Sequence, residues 1–262
     1  VIVTTSQRAD RAVKQKAALL AERFHASYIE RKKQPVTKLA AFYECPVLLV
    51  SKERLELHSG EGSPFFFHPG SAMFRVKRLL SGGEDELVKA CGLAPGMSFL
   101  DCTMGPAADS ITASAAVGES GWIQSLEANP YIAHIVQEGL KSWVDGPAEL
   151  VEAMRSIQVE AADYYMYLKN VPDASFDVVY FDPMFEEAVE SSGIAPLRPH
   201  AAYTDLTVEA VAEAKRIARR RVVLKDHFRS ERFAKFGFRQ QIRKTSKFHF
   251  GVIEKGDSGE QQ

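Results

Sequence analysis

Cysteine is scarce in this chain. Only Cys45, Cys91 and Cys102 occur among 262 residues, with no CxxC spacing, so neither a disulfide framework nor a zinc site is supported, and a reducing cytoplasm is expected. Long apolar runs are missing as well. None reaches the ~18 residues of a membrane span, and no charged start leads into an apolar core as in a secretory signal. Neither sign of charge is in excess: 33 basic residues stand against 34 acidic ones, so no overall field advertises a polyanionic partner. The glycines of a dinucleotide fingerprint are absent too, because Gly105 stands alone where three would be needed. No repeat or low-complexity tract is visible.

The charge that is present is unevenly spread. Residues 145 to 213 hold fourteen acidic and three basic residues, whereas 215 to 247 hold thirteen basic and two acidic, a local net of +11. Such a stretch is either a footprint for phosphates or a solvated surface. Phe228, Phe233, Phe236 and Phe238 are interleaved with its cations, as in single-strand binders, although at least two of these rings are expected to close the sheet.

Apolar periodicity divides the chain. Residues 1 to 67 read as a small α+β subdomain with strands at 1 to 5, 28 to 29, 46 to 50 and 54 to 58, helices at 8 to 24 and 36 to 43, and a strand at Pro64 to His68 pairing with the one before it. Residues 68 to 97 read as a helical connector, 98 to 255 as a main domain and 256 to 262 as a polar tail. In the main domain strands at 98, Trp122 to Leu126, Ile157 to Ala161, Phe176 to Phe181 and Arg221 to Leu224 alternate with helices. Asn129-Pro130 supplies an N-cap and a first-turn proline. Such alternation means a doubly wound parallel sheet. The antiparallel pair expected at 238 to 253 is a class I methyltransferase ending, so the expected fold is Rossmann-like α/β of that class.

Site chemistry is expected around Ser98 to Asp109, where a buried strand stops at Asp101 and turns through Thr103 and Gly105 into a helix. Ligands of open α/β sheets bind outside the carboxyl ends of the strands. A strand-end carboxylate, a threonine and one glycine suit a partly cationic ligand such as S-adenosylmethionine. Asp101, Glu127 and Asp163 end consecutive strands and so share one sheet edge; Glu127 is placed to accept from both ribose hydroxyls.

The fourth strand ends in Asp182-Pro183-Met184-Phe185, the order of the (D/N)-P-P-(Y/F) signature of enzymes that methylate planar exocyclic amines. The lone pair of such an amine is delocalised into its ring. Its N–H groups need acceptors that favour a pyramidal nitrogen: the Asp182 carboxylate and the Pro183 carbonyl. Phe185 is expected to stack on the base.

From Phe65 to Phe185 the sequence resembles the small-subunit ribosomal RNA guanine-N2 methyltransferases of the RsmJ (YhiQ) type and their Gram-positive relatives. Ser98 to Asp109 is similar to that family's D-A-T-A-G-x-G-x-D, Leu126 to Pro130 to L-E-R-N-P, Val179 to Phe185 to V-V-Y-L-D-P-M-F, and Val222 to Lys225 to V-V-V-K. The resemblance implies S-adenosylmethionine contacts at Ala108, Asp109, Glu127, Ala128, Ala162, Asp163 and Asp182, with Asn129 beside them. It implies methylation of a guanosine N2 amine in small-subunit ribosomal RNA or its particle, by a cytoplasmic monomer or homodimer without metal or membrane. Departures are Ala107 at the second glycine, Ala162-Asp163 for two serines and Ala128 for arginine. They leave open a methyltransferase of another planar amine (DNA, protein glutamine or a small molecule) and a non-catalytic RNA module that binds the cofactor. His68, Arg75, Lys77 and Arg78 are candidates for a phosphate clamp, and Lys225 for the cleft. The N-terminal subdomain and the basic stretch are expected to dock RNA together.

Overall fold

The computed structural model of the chain describes residues 1–59, 62–183 and 205–256. Among the described residues no helix is long and apolar enough to cross a membrane.

Two sheets form. The first takes β1 (Ile2–Thr5), α1 (Arg11–Arg23), β2 (Ser27–Tyr28), α2 (Val36–Tyr43), β3 (Val47–Val50) and β4 (Leu55–His58), in the strand order β2-β1-β3-β4. The helix expected from residue 8 starts at Arg11, because Asp10 caps α1 by accepting the Val13 N–H at 2.9 Å. The strand expected at Pro64 to His68 shrinks to one bridge between Leu57 and Phe65. Pro64 has no N–H to donate, and Phe65 and Phe67 instead enter the core while Arg54 lies 3.7 Å from the centre of the Phe66 ring. Phe67 lies against the backbone of Gly139, where a Cβ would stand 2.1 Å from the ring. One buried cluster runs from Val3 and Leu48 through Phe67 to Ile135 and Leu140, so the first sheet is packed on the second unit.

The connecting helices α3 (Ser71–Leu80) and α4 (Glu86–Cys91) lead into β5 (Ser98–Asp101), α5 (Ala108–Val117), β6 (Trp122–Glu127), α6 (Pro130–Ser142), α7 (Ala148–Arg155), β7 (Ile157–Ala161), α8 (Tyr164–Asn170) and β8 (Phe176–Phe181). Then come α9 (Val208–Ile217), β9 (Ala218–His227), α10 (Arg232–Lys235), β10 (Arg239–Gln241) and β11 (Phe248–Glu254). The seven strands lie in the order β10-β11-β9-β8-β5-β6-β7. β5 to β9 are mutually parallel, β11 runs antiparallel to β9, and β10 runs antiparallel to β11.

Alternation at the sheet centre explains its apolar strands. Phe99, Val178, Tyr180 and Val223 enter one buried cluster, whereas Leu100, Val179, Phe181 and Leu224 enter the other. Strands covered on both faces read as continuous apolar runs. Three helices depart from the expected set, α7, α8 and the short α10. α7 buries only Leu150, Ala153 and Met154, and α8 only Tyr164 and Leu168. β9 is far longer than the four residues expected, because Arg219 and Arg221 find partners at its start: Arg219 bonds the Ala174 carbonyl at 2.6 Å and Arg221 meets Glu254 at 3.0 Å.

Candidate cofactor site and active site

Strand order reverses between β8 and β5, and the parallel strands bring their carboxyl ends to one edge. β5 ends at Asp101, which is 1 % exposed. One of its carboxylate oxygens accepts the Thr103 N–H at 3.0 Å and the other accepts the Ser110 hydroxyl at 2.5 Å, while Ser125 donates to Ser110 at 2.9 Å. Both oxygens of Asp101 thus serve the turn itself. Burial pushes its pKa up to about 7.

The turn then doubles back toward β6 and β8. Thr103 Oγ1 accepts the Asp182 N–H at 2.6 Å, and the Met104 N–H bonds the Leu126 carbonyl at 2.9 Å. Gly105 takes φ +50° and gives its N–H to Glu127 Oε2 at 3.2 Å. Ala107 has φ +64° and the Met104 carbonyl accepts its N–H. The alanine therefore adopts the left-handed conformation that a glycine would, at about 1 to 2 kcal/mol. α5 starts after it with Ala108 and Asp109 in its first turn.

Glu127 closes β6. Its other oxygen accepts the Asn129 N–H at 2.9 Å, and burial raises its pKa despite the two N–H bonds. Beyond Ala128, Asn129 caps α6 by accepting from Tyr131 at 2.9 Å and Ile132 at 3.2 Å. At the next strand end the Ala162 N–H bonds the Glu127 carbonyl at 3.1 Å and Asp163 caps α8, accepting the Met166 N–H at 3.0 Å. The structure therefore brings Thr103, Gly105, Glu127, Asn129, Ala162 and Asp163 onto one edge.

Asp182 ends β8 beside this turn, followed by the buried Pro183. Its Oδ2 accepts from Lys225 Nζ at 2.7 Å, while Oδ1 is buried and has no hydrogen-bond partner among the described residues. Met184 and Phe185 lie outside the described residues. Lys225 also donates to Asp109 at 3.0 Å; Asp109 further accepts Tyr180 Oη at 2.8 Å and Arg75 Nη1 at 2.5 Å. Arg75 in turn makes a two-pronged pair with Asp85 at 2.8 and 2.9 Å, which Arg78 joins at 2.8 Å. Burial opposes the charge on Asp109, but Lys225 and Arg75 overcome it and hold the carboxyl well below the usual range. Asp182 goes the other way: burial, helped by the Asp109 charge and opposed by Lys225, pushes it up to about 6.

This cluster corrects one expectation and adds two residues. Arg75 is committed to Asp85 and Asp109, not to a phosphate clamp, whereas Arg78 meets Asp85 through one nitrogen and stays exposed, as does Lys77. His68 accepts the Gly70 N–H at 3.0 Å and sits edge-on to Trp143. Asp85 and Tyr180 were not singled out. Asp85 reads as a plain helix cap, a role it also fills toward Leu87 at 3.0 Å, whereas a tyrosine in a central buried strand signals a hydroxyl that needs a buried partner.

The edge offers carboxylates: Glu127 retains free lone pairs on both oxygens, and Asp182 Oδ1 is open. Such a set suits a ligand rich in hydroxyl and N–H donors and carrying positive charge, and it repels a pyrophosphate. S-adenosylmethionine fits that description. The strand order, the antiparallel ending and the carboxylate-lined turn at the reversal point define a class I methyltransferase.

The family model for SAM-dependent methyltransferases matches residues 37–248. The chain belongs to this SAM-dependent methyltransferase family, with S-adenosylmethionine as cofactor. It is 47 % identical over 254 residues to the uncharacterised protein YpiP of Bacillus subtilis, covering 97 % of this chain and 99 % of that one. Identity is 32 % over 189 residues to the ribosomal RNA small subunit methyltransferase J of Nitrosococcus oceani, covering 68 % of this chain and 72 % of that protein. A SAM-dependent methyltransferase from Neisseria gonorrhoeae shares the fold at a TM-score of 0.63 and 19 % identity, covering 99 % of this chain and 98 % of the other.

Proposed function

We propose that the protein transfers a methyl group from S-adenosylmethionine to the exocyclic N2 amine of a guanosine in small-subunit ribosomal RNA. The observation that carries this reading is Asp182 Oδ1, a buried acceptor without a partner among the described residues, at the strand end where the amine-methylating signature stands. The likeness to a ribosomal RNA small subunit methyltransferase J supports RNA as the substrate.

S-adenosylmethionine supplies an electrophilic methyl group on a sulfonium. Glu127 holds the ribose hydroxyls. The 103–108 turn receives the methionine portion, with Gly105 allowing close backbone approach. Ala128, Ala162 and Asp163 line the adenine side. Asp101 shapes the turn from beneath. Asp182 Oδ1 and the Pro183 carbonyl accept the two N–H groups of the amine and stabilise the nitrogen as it turns pyramidal; Phe185 stacks on the base. The amine nitrogen would take the methyl group as the sulfonium's C–S bond breaks, the sulfur leaving as the neutral thioether of S-adenosylhomocysteine and one N–H proton passing to solvent. No strong base is needed, since most of the rate comes from alignment. The target base leaves its stack to reach this edge.

Mass spectrometry of small-subunit ribosomal RNA nucleosides from cells lacking and regaining the protein tests this. N2-methylguanosine should fall and return. If it stays constant while another methylated amine disappears, the guanosine assignment is wrong; if no methylated product changes, so is the reaction.

A further inference from the structure

The basic stretch from 215 to 247 is sorted by folding into two groups. Arg216, Arg219, Arg221, Lys225 and Arg232 are consumed in ion pairs with Asp173, Asp177, Glu254, Asp182 and Asp226, among others. Arg232, for instance, is buried against Asp226 at 3.1 Å and Asp205 at 2.7 Å. Arg243 meets Glu86, whereas Lys215, Arg220, Arg229, Lys235, Arg239, Lys244 and Lys247 are exposed and make no ion pair among the described residues.

Three of these exposed cations, Arg229, Lys244 and Lys247, lie together. Phe228 and Arg229 follow the end of β9, and the β10–β11 loop carrying Lys244 and Lys247 returns to the same edge: the Phe228 N–H bonds the Lys247 carbonyl at 3.0 Å, and Phe248 pairs with His227. Two large apolar side chains stand among the cations, Phe228 at 38 % and Ile242 at 80 % exposed. Arg229 lies 5.0 Å from the Phe228 ring centre, and the ring leans on His227 and His249. By contrast Phe233 and Phe238, from the same stretch, are core.

The patch is held in shape from beneath. Gln240 donates to the Phe228 carbonyl at 2.8 Å and bonds the buried His249 at 2.9 Å. Ser230 and Arg232 both bond Asp226, which is 2 % exposed. Phe228 is therefore presented on a fixed scaffold, and an ordered aromatic loses little freedom on stacking. It follows Lys225 by three residues, about 10 Å along the strand direction, which is a step or two along an unstacked polynucleotide from Asp182.

We propose that Phe228, Ile242, Arg229, Lys244 and Lys247 form the docking surface for single-stranded RNA flanking the target nucleotide, with a neighbouring base stacked on Phe228 and its phosphates met by the three cations. This rests on the RNA reading above. Cations alone would suit any polyanion, but an exposed, scaffolded ring among them matches the stacking platform and charged track of single-strand binders.

The test uses the full chain, a fluorescein-labelled single-stranded RNA and, in parallel, protein-free small-subunit ribosomal RNA. Phe228→Ala should weaken binding about 5- to 100-fold. The Arg229→Gln, Lys244→Gln, Lys247→Gln triple variant should lower the slope of log affinity against log salt by about 2, at roughly 0.7 per lost phosphate contact. Lys215→Gln with Arg220→Gln, at the opposite sheet edge, should change neither. Cofactor affinity by calorimetry should stay at the parental value throughout, which excludes misfolding. Parental affinity and salt slope in both patch variants would overturn the proposal, as would a parent that binds no RNA. So would equal binding of polyglutamate that Phe228→Ala leaves untouched, which would assign the patch to an acidic protein. A parent that binds RNA through this patch and methylates none would instead overturn the function proposed above and leave the docking surface standing.

Discussion

Lys225→Met tests the charge arrangement at the strand ends. Its ammonium stands 2.7 Å from Asp182 and 3.0 Å from Asp109, with side chains of Lys225 and Asp182 exposed by 23 % and 21 %. Two unit charges at about 4 Å interact by about 4 kcal/mol at an effective dielectric of 20, and partial solvent access reduces this to roughly 2 to 3 kcal/mol. Removing the cation should therefore raise the Asp182 pKa by about 2 units, from about 6 toward about 8. If ionised Asp182 holds the amine, the parental single-turnover methylation rate rises with pH through about 6 and is flat above neutrality. The variant should be about 10-fold slower at pH 7 and should regain most of the loss above about pH 9, since only its ionised fraction has changed. Leaving two buried carboxylates short of a cation should also cost about 3 kcal/mol of stability, so rates must be taken well below the melting temperature. Rapid-quench transfer of labelled methyl at saturating cofactor reads this directly. An unchanged inflection, or a deficit that persists at high pH, would refute the role of Lys225 in keeping Asp182 ionised.

Asp182→Ala should lower the same single-turnover rate by about 10² to 10³-fold at neutral pH and above while RNA affinity falls little, because the lost interaction is strongest as the nitrogen turns pyramidal; a parental rate would reduce this corner to a turn. Glu127→Ala should weaken S-adenosylmethionine and its demethylated product by about 10- to 100-fold in calorimetry, the size of one or two hydrogen bonds to a charged group, and tighter binding of NAD would contradict the cofactor site. Asp101→Asn tests linkage. With a folded pKa of about 7, Asp101 keeps a proton that the unfolded chain has already lost between about pH 4 and pH 7, so it makes stability fall with rising pH by up to about 1.4 kcal/mol per unit. His134, which burial pushes down to about 4, acts in the opposite sense below about pH 6.5, so the difference between parent and variant in urea unfolding is the quantity to follow; a difference independent of pH would refute the assignment. Arg75→Lys should destabilise by about 3 kcal/mol despite keeping the charge, because an ammonium cannot replace the two-pronged contact with Asp85 and still reach Asp109; a melting temperature within a degree or so of the parent would argue that the bridge contributes nothing.

What the sequence made legible was whatever one local stretch determines. The central strands are apolar because both faces are covered, and Glu127, Asn129 and Asp182 sit where periodicity breaks, so strand ends and caps could be located. Charge hid the rest. Ala218 to Arg220 fall outside the strand expected from Arg221 although they start it, since the partner of Arg219, Ala174, is remote in the chain. The Asp85–Arg75–Asp109–Lys225–Asp182 chain joins the helical connector to β9, and no local pattern pairs Arg75 with Asp109 or Asp109 with Lys225. For the same reason the basic stretch looked like one surface and is two populations, with Arg232 buried among carboxylates.

Asp101 and Ala107 together show how the turn tolerates its departure from the glycine of the resembling family. A left-handed alanine costs about 1 to 2 kcal/mol, and no side chain caps α5 at Ala107. Against this stand the hydrogen bonds of Asp101 to Thr103 and Ser110 and of Glu127 to Gly105 and Asn129, where a typical bond contributes about 0.5 to 1.5 kcal/mol. The carboxylates therefore hold the backbone in a shape that glycine would otherwise have made easy. Each oxygen of either carboxylate accepts one of these bonds, but Asp101 is 1 % exposed beneath the turn, whereas Glu127 is only half-buried at the sheet edge, where its remaining lone pairs can be reached. The two residues read alike in sequence, as acidic strand ends, yet loss of the first should act on stability and loss of the second on ligand affinity. That separation is a physical consequence of how deeply each carboxylate is buried.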